Sequence, residues 1–290
     1  MLSAGPDPNA KGPDMPLRLL VVSSETPDQQ DARRRRSGMA SHETYAETLR
    51  EMAGEISIET TSCVDGRTDT SADRLGRFDG VVFAGSPIQM HEDTPEVRQA
   101  AAFMSDVFRA GPKSFGSCAG LQIAAVAAGG SVRPRESAMN AGFSRGIVAS
   151  DAGRRHALLS GRPGAWDAPT MHSAMVDRMP DGGTVLAHSQ GVPVEAAEIR
   201  AGEGVFWGVQ YHPELALTEI SDALQGQSQT LVDQGLAQDV DAVNRYADSL
   251  EALQGSPGRR DLAWQLGLDA EVLEVRRRRL EIANFLNWIR

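Results

Sequence analysis

Apolar positions recur along this chain in short runs that are separated by longer amphipathic stretches. Leu17–Ser23 and Phe78–Ala84 are almost entirely apolar, which is typical of strands that are buried on both faces of a sheet. Residues 39–53 carry apolar side chains at helical spacing, and Thr94–Arg109 begins with Thr-Pro-Glu, a helix-start signal. Lys113–Ser117 is predicted to be another short strand. Strands that alternate with helices predict a parallel sheet with helices on both faces.

The second half of the chain follows other patterns. Residues 131–200 consist of shorter strand-like pieces with turns, Val205–Tyr211 is again an apolar strand, and residues 219–253 and 269–289 have helical spacing. The sequence therefore predicts an α/β fold, an open, mostly parallel twisted sheet flanked by helices, with a helical extension at the C-terminal end. We expect residues 1–15 to be a disordered tail, residues 16–220 the α/β domain, and residues 221–290 the helical extension.

Two runs of arginine stand out. Arg33–Arg36 follows the first strand in a polar segment, and it predicts a solvated loop; the alternative is a lid that faces substrate, because loops above an α/β sheet often carry function. Arg276–Arg279 precedes a stripe of apolar side chains that includes Ile282 and Phe285. That stripe predicts an amphipathic helix packed on the main domain, and the alternative is a surface for a homodimer or another partner.

Composition narrows the possible functions. The chain has 290 residues, 41% of them hydrophobic, and a formal net charge of −10. Such an acidic protein is not built to hold a nucleic-acid backbone, and no apolar run reaches the length of a membrane span. The N-terminus lacks the apolar core of a secretory signal, so we expect a cytoplasmic protein. Cys63 and Cys118 are the two cysteines, which exclude a disulfide framework and fit a reducing compartment.

Cys118 lies in the most informative segment of the chain. Residues 116–122 read GSCAGLQ, so a short strand turns into a helix with the cysteine at the corner and glycines on both sides, as in a nucleophile elbow. Free N–H groups and the helix dipole at that corner favour a thiolate, and the N–H of Ala119 is placed to bind an oxyanion. The alternative is a small buried cysteine in a packing corner.

His212 ends an apolar strand in the segment WGVQYHPE, which covers residues 207–214. Glu214 follows two positions later, and in extended backbone it lies on the same face as His212. Its carboxylate can hold the imidazole in the tautomer that accepts a thiol proton. The alternative is a histidine that only caps a loop. The remaining histidines lack metal-ligand spacing and no glycine-rich nucleotide loop is present, so we expect neither a metal nor a cofactor.

Together these segments resemble a known family. Residues 116–122 resemble the G-x-C-x-G-x-Q signature of class I glutamine amidotransferases, and residues 211–214 resemble their Y/F-H-P-E signature, in the same order along the chain. Residues 85–87 are similar to a loop that supplies an oxyanion N–H in that family, and residues 172–182 to its His-Ser … Leu-Pro-x-Gly segment. The resemblance covers residues 17–220 and implies a flavodoxin-like glutaminase domain of the GMP-synthase type that stands alone.

The resemblance also implies roles for individual residues. It implies that Cys118 attacks the γ-carbonyl of a glutamine-like substrate, that His212 is the base, and that Glu214 orients His212. The resulting γ-glutamyl thioester is hydrolysed by water to glutamate, after release of ammonia or an amine. The resemblance further implies an oxyanion hole from the backbones of Gly85, Ser86 and Ala119, and substrate contacts from Gln122, His172 and Ser173.

One departure puts the substrate in doubt. Ala174 stands where similar family members usually carry an acid, and the resemblance implies the loss of a contact to the α-amino group of glutamine. Three functions stay open: a glutaminase that passes ammonia to a separate synthetase subunit, a γ-glutamyl peptidase or amide hydrolase in metabolite processing, and a catalytically weak regulatory or binding subunit. The small-molecule substrate is expected to be glutamine or a γ-glutamyl amide.

Overall fold

A computed structural model gives the fold and describes residues 16–290, so the tail predicted for residues 1–15 lies outside the described residues. Nine strands form one sheet in the order β2-β1-β3-β4-β11-β10-β9-β6-β7, and β5 and β8 form a separate antiparallel pair. The strands are β1 Leu17–Ser23, β2 Ile56–Ser62, β3 Gly80–Phe83, β4 Lys113–Ser117, β5 Ser131–Pro134, β6 Asn140–Ala149, β7 Ala165–His172, β8 Ala174–Arg178, β9 Gly183–Ser189, β10 Val192–Ala201 and β11 Gly204–Val209.

Helices cover both faces of this sheet and continue to the C-terminal end. They are α1 Pro27–Ser37, α2 Ser41–Ala53, α3 Ala72–Leu75, α4 Pro95–Ala110, α5 Ala119–Ala127, α6 Leu217–Gly226, α7 Ser228–Asp233, α8 Val240–Gly255, α9 Arg260–Leu266, α10 Ala270–Leu273, α11 Val275–Arg278 and α12 Leu280–Ile289. Two 3₁₀ turns, Gly153–Arg155 and Ala157–Leu159, precede β7. Among the residues that the structure describes, every helix is too short or too polar to span a bilayer.

Half of the sheet is parallel and half is antiparallel. β2, β1, β3, β4 and β11 pair in parallel, and the remaining strands of the large sheet pair antiparallel. The pairing of β4 with β11 aligns Gly116 with Gly208 and Ser117 with Val209. The carboxyl ends of these two strands therefore meet at one edge, which brings Cys118 close to the residues that follow β11. Ligands of open α/β sheets bind at this kind of edge.

The predicted α/β fold is confirmed, with one local error. The segment with Arg33–Arg36 was predicted to be a loop, and it is the helix α1. Thr26 caps this helix, Pro27 occupies its first turn, and Gln29 completes a capping box. None of its residues is buried, so the segment carries no apolar stripe by which its helical period is recognised.

The C-terminal helices share hydrophobic cores with the sheet. Ile282, Phe285 and Leu286 of α12 are buried beneath the sheet, where Phe285 stacks on Phe115 with ring centroids 5.4 Å apart. The helices α6 to α10 surround a third core that also contains Met139. The amphipathic stripe of the last helix therefore faces its own chain, as predicted. The division into domains at residue 220 stays a prediction.

Candidate active site

Cys118 occupies a strained corner between β4 and α5. Its φ is 50° and its ψ is −104°, and it has the one positive φ found among the described non-glycine residues. The corner is packed so tightly that a Cβ on Gly116 or on Gly120 would lie about 3.0 Å from the backbone oxygen of Phe83. The two glycines are therefore needed for β3, β4 and α5 to approach each other. Backbone strain of this kind is concentrated at functional sites.

His212 and Glu214 form a buried pair beside this corner. The Nδ1 atom of His212 lies 2.8 Å from Oε1 of Glu214, and the hydroxyl of Ser117 donates to the same oxygen at 2.9 Å. Burial alone would lower the pKa of His212, but the carboxylate of Glu214 and the sulfur of Cys118 together raise this pKa to about 10. A positively charged imidazole beside a sulfur is the electrostatic setting that favours a thiolate.

The loop after β3 closes tightly on this pair. A Cβ on Gly85 would lie 2.6 Å from Cε1 of His212 and 3.8 Å from Cβ of Cys118. The hydroxyl of the next residue, Ser86, accepts a 2.8 Å hydrogen bond from the hydroxyl of Ser24, which fixes the loop to the end of β1. Gly85 and Ser86 thus lie beside Cys118, where the family resemblance implies part of an oxyanion hole.

Gln122 and His172 meet at the backbone of Ala174. The carbonyl oxygen of Ala174 accepts from Nε2 of Gln122 at 2.9 Å and lies 2.9 Å from Nδ1 of His172. Burial, with a smaller effect of Arg135, lowers the pKa of His172 to about 3, so its ring is neutral. Ser173 lies nearby and donates to Gln89 at 3.4 Å. All three predicted substrate residues line one cavity together with Cys118.

Two cavities meet at Cys118. The Gln122 cavity has a volume of about 150 Å³, and the predicted residues that line it are Ser86, Cys118, Ala119, Gln122, His172 and Ser173. The His212 cavity has a volume of about 280 Å³. Its lining includes Gly85, Met171, His212 and Leu215, and also Gln29, Arg33, Arg36, Glu219 and Ala223 of α1 and α6. Glu214 lies behind His212 and lines neither cavity.

Several residues at this site were not predicted from the sequence. Gln210 donates to the sulfur of Cys118 at 3.5 Å and accepts from Gln122 at 3.3 Å. It precedes His212 by two positions in extended backbone, so the alternation of strand side chains was the signal that places it on the same face. Arg33 and Arg36 line the His212 cavity. The alternative given above for their segment is a lid that faces substrate, and it stays a prediction.

The described residues contain no cluster of three His, Cys, Asp or Glu side chains that could hold a metal ion.

A thiol at a strand-to-helix corner, beside a histidine that a carboxylate orients, is the arrangement of cysteine hydrolases on open α/β sheets. The class I glutamine amidotransferase family model matches residues 41–227, and the chain belongs to that family. It is an enzyme that cleaves a C–N amide bond.

The relatives of this chain include an amide hydrolase and a subunit of a glutamine-hydrolysing synthase. A γ-glutamyl-L-1-hydroxyisopropylamide hydrolase from Pseudomonas sp is 29% identical over 279 residues, which are 94% of this chain and 93% of the relative. A glutamine-hydrolysing GMP synthase subunit from Ignicoccus hospitalis is 32% identical over 144 residues, which are 50% of this chain and 71% of that relative. A solved glutamine amidotransferase from Thermotoga maritima has the same fold, with a TM-score of 0.59, 16% identity, and coverage of 89% of this chain and 98% of that one.

Proposed function

We propose that this enzyme hydrolyses γ-glutamyl amides whose nitrogen carries an organic substituent, with Cys118 as nucleophile, His212 as proton carrier and Glu214 as its orienter. The observation that carries the proposal is the His212 cavity on the leaving-group side of the sulfur. The similarity to the Pseudomonas hydrolase along nearly the whole chain supports the same substrate class.

The arrangement supports a two-stage reaction. The thiolate of Cys118 attacks the γ-carbonyl carbon, and the N–H groups of Ala119 and of Gly85 or Ser86 stabilise the oxyanion. The protonated His212 gives its proton to the amide nitrogen, the C–N bond breaks, and the amine leaves. His212, now neutral, takes a proton from water, whose oxygen attacks the thioester carbon. The C–S bond breaks, glutamate is released, and the thiolate–imidazolium pair of Cys118 and His212 is restored.

The positions of the two cavities support an assignment of the substrate's two ends. Ala119 and Gln122 line the Gln122 cavity, so the glutamyl chain belongs there. His212 lines the other cavity, and the nitrogen that it protonates must point towards it. For glutamine the leaving group is ammonia, which is about as large as a water molecule, roughly 30 Å³ in the liquid. The His212 cavity of about 280 Å³ is much larger than that and has room for a substituted amine.

The lining of the His212 cavity supports a polar substituent. The apolar side chains of Leu215 and Met171 line this cavity together with Arg33 and Glu219, which are 3.2 Å apart as an ion pair. A short aliphatic segment that ends in a hydrogen-bonding group fits this combination of apolar and polar walls. The hydroxyl-bearing amide in the name of the Pseudomonas relative has this character.

A second candidate is a glutaminase that supplies ammonia to a separate synthetase. The similarity to the Ignicoccus GMP synthase subunit favours it. In that case glutamine is the preferred substrate and the activity increases when the synthetase is present. The walls that α1 and α6 build across the leaving-group side of Cys118 argue against an ammonia acceptor bound directly there.

The test is glutamate release from glutamine and from γ-glutamyl amides with methyl, hydroxyalkyl and carboxyalkyl substituents on nitrogen. Wild type is compared with Cys118→Ala, and Cys63→Ala is the matched control because Cys63 is buried away from both cavities. We expect kcat/KM to be higher for substituted amides than for glutamine, and only Cys118→Ala to abolish release. A preference for glutamine would move the conclusion to the ammonia-supplying candidate. No release from any substrate by wild type would leave a regulatory or binding role.

A further inference from the structure

Helix α1 places one arginine in the wall of the His212 cavity. Arg33 lines this cavity, and its side chain is only 18% exposed. Its Nη1 atom donates to the hydroxyl of Ser41, and its Nη2 atom donates to Oε1 of Glu219 at 3.2 Å. Ser41 and Glu219 line the same cavity. The guanidinium is therefore held in one orientation on the surface that a leaving group would touch.

Both partners of Arg33 are themselves held by other groups. The carboxylate of Glu25 accepts from the backbone N–H and from the hydroxyl of Ser41, both at 3.0 Å. The oxygen of Glu219 that binds Arg33 also accepts from the hydroxyl of Thr44 at 3.0 Å. These groups form one hydrogen-bonded chain along the cavity wall, to which α1, α2 and α6 each contribute.

The guanidinium of Arg33 has donors left for a ligand. A guanidinium carries five N–H groups and no acceptor. Among the described residues, the bonds to Ser41 and Glu219 use two of these N–H groups. The carboxylate of Glu219 lies beside the same guanidinium and can accept from a further donor. A hydroxyl group both accepts and donates, so one hydroxyl can accept from Arg33 and donate to Glu219.

The charges around this ion pair favour a neutral group over a carboxylate. Glu25 and Glu219 are both largely buried, and one largely buried cation, Arg33, lines the cavity with them. Arg36 also lines the cavity, but it is exposed, so water and salt screen its charge. The active-site histidine already has its own carboxylate partner. A carboxylate on the leaving amine would therefore meet an excess of negative charge, because like charges repel most where water is excluded.

We propose that Arg33 and Glu219 determine the specificity for the leaving amine, and that they select amines with a neutral hydroxyl group. The hydroxyl accepts from Arg33 and donates to Glu219, while the nitrogen of the scissile bond lies at His212. The preferred substrates are then γ-glutamyl amides of amino alcohols. This inference rests on the proposed function, since it needs the leaving group to occupy the His212 cavity.

Loss of the guanidinium has an effect of known sign. The propyl amide of γ-glutamate has a methyl group where the hydroxyethyl amide has its hydroxyl. A hydrogen bond to a charged group should make kcat/KM of wild type about 10- to 100-fold higher for the hydroxyethyl amide. In Arg33→Met this ratio should fall to about one, because methionine offers no donor. A general effect of the substitution on the fold acts on both substrates and cancels in the ratio.

The experiment measures kcat/KM for wild type, Arg33→Met and Arg34→Met with matched amides. The hydroxyethyl amide is compared with the propyl amide, the hydroxypropyl amide with the butyl amide, and the carboxyethyl amide tests the charge argument. Arg34→Met is the matched control. Arg34 also anchors α1 by an ion pair, with Glu43 at 2.8 Å, but it lines neither cavity. This control should keep the wild-type ratio.

A ratio that falls in Arg33→Met and keeps its wild-type value in Arg34→Met supports the proposal. It does so even if glutamine is cleaved faster than every amide, in which case the proposed function alone fails. An unchanged ratio in Arg33→Met, or an equal fall in Arg34→Met, overturns the proposal. Faster cleavage of the carboxyethyl amide than of the hydroxyalkyl amides by wild type also overturns it.

Two further measurements apply if a protein is inactive or does not fold. If wild type cleaves no amide, the same ratios are measured as dissociation constants in Cys118→Ala, and failure of both hydroxyalkyl amides to bind overturns the proposal. If Arg33→Met does not fold, Arg33→Lys takes its place, because lysine keeps the charge but lacks the fork of N–H groups. The ratio should fall in that variant as well, and an unchanged ratio overturns the proposal.

Discussion

The tight approach of the loop after β3 to the active-site histidine leads to a quantitative prediction for Gly85→Ala. The added Cβ would lie 2.6 Å from Cε1 and 3.3 Å from Nδ1 of His212. Carbon atoms in contact prefer a separation of about 3.5–4.0 Å, so either the ring or the loop must move by roughly 1 Å. The backbone at Gly85 is not in the left-handed region, and the whole effect therefore comes from this steric overlap.

A displacement of this size is large for catalysis. Misplacement of a catalytic group by about 1 Å costs on the order of 100-fold in rate, or about 2.7 kcal/mol of activation free energy. We expect Gly85→Ala to lower kcat by about that factor while the protein stays folded. The steric overlap involves the ring that we propose to carry the proton and the loop that we propose to bind the oxyanion, so KM should change less than kcat.

The assay is glutamate release at saturating substrate, with thermal unfolding measured on the same samples. Gly164→Ala is the matched control, because its Cβ would have no neighbour within 4 Å and its backbone is equally permissive. The reasoning is refuted if Gly85→Ala keeps the kcat of wild type, or if Gly164→Ala loses as much activity as Gly85→Ala.

Three further predictions concern charge and reactivity. Glu281→Gln removes one of the two carboxylate partners of Arg162, whose side chain is 2% exposed. The free energy of unfolding in urea should therefore fall by about 3 kcal/mol. A fall below about 1 kcal/mol would contradict this prediction. Activity should decline on the alkaline side near pH 10, where His212 loses its proton. In Glu214→Gln this alkaline limb of the pH profile should move to lower pH, because the anion that raises the pKa of His212 is gone. An unmoved alkaline limb would contradict this reasoning. Burial raises the pKa of Cys63 to about 12, so mass spectrometry after iodoacetamide at pH 8 should find this cysteine unlabelled, and a labelled Cys63 would show that it is exposed.

Apolar runs, the glycines around Cys118 and the spacing of His212 and Glu214 each predicted a feature that the structure contains, and each has a physical reason. The strands β1 and β3 are short, mainly apolar runs that end at the sheet edge, and their positions follow from buried parallel pairing. The glycines around Cys118 indicated a corner in which side chains do not fit, and the structure has that corner. The spacing of His212 and Glu214 placed both on one face, where they are 2.8 Å apart.

Other features depend on contacts that no local pattern encodes. Helix α1 has no apolar face, and only its capping residues Thr26 and Gln29 indicated that it is a helix. The antiparallel half of the sheet depends on how β10 pairs with β9 and β11, which is decided by the tertiary packing. The hydrogen bond from Ser117 to Glu214 at 2.9 Å joins residues that lie far apart along the chain, and no local pattern indicated it.

The docking of the last helix has a consequence for how this protein is made. Tyr211, which immediately precedes the active-site histidine, donates to Glu281 of α12, and the ring of Trp207 in β11 stacks on Trp288 with centroids 3.9 Å apart. The layer beneath the histidine is therefore assembled from residues that a ribosome adds long after the nucleophile. A nascent chain that ends before residue 280 carries Cys118, His212 and Glu214 but lacks this layer. We expect the enzyme to acquire activity only once synthesis has passed α12, so that unfinished chains do not consume substrate.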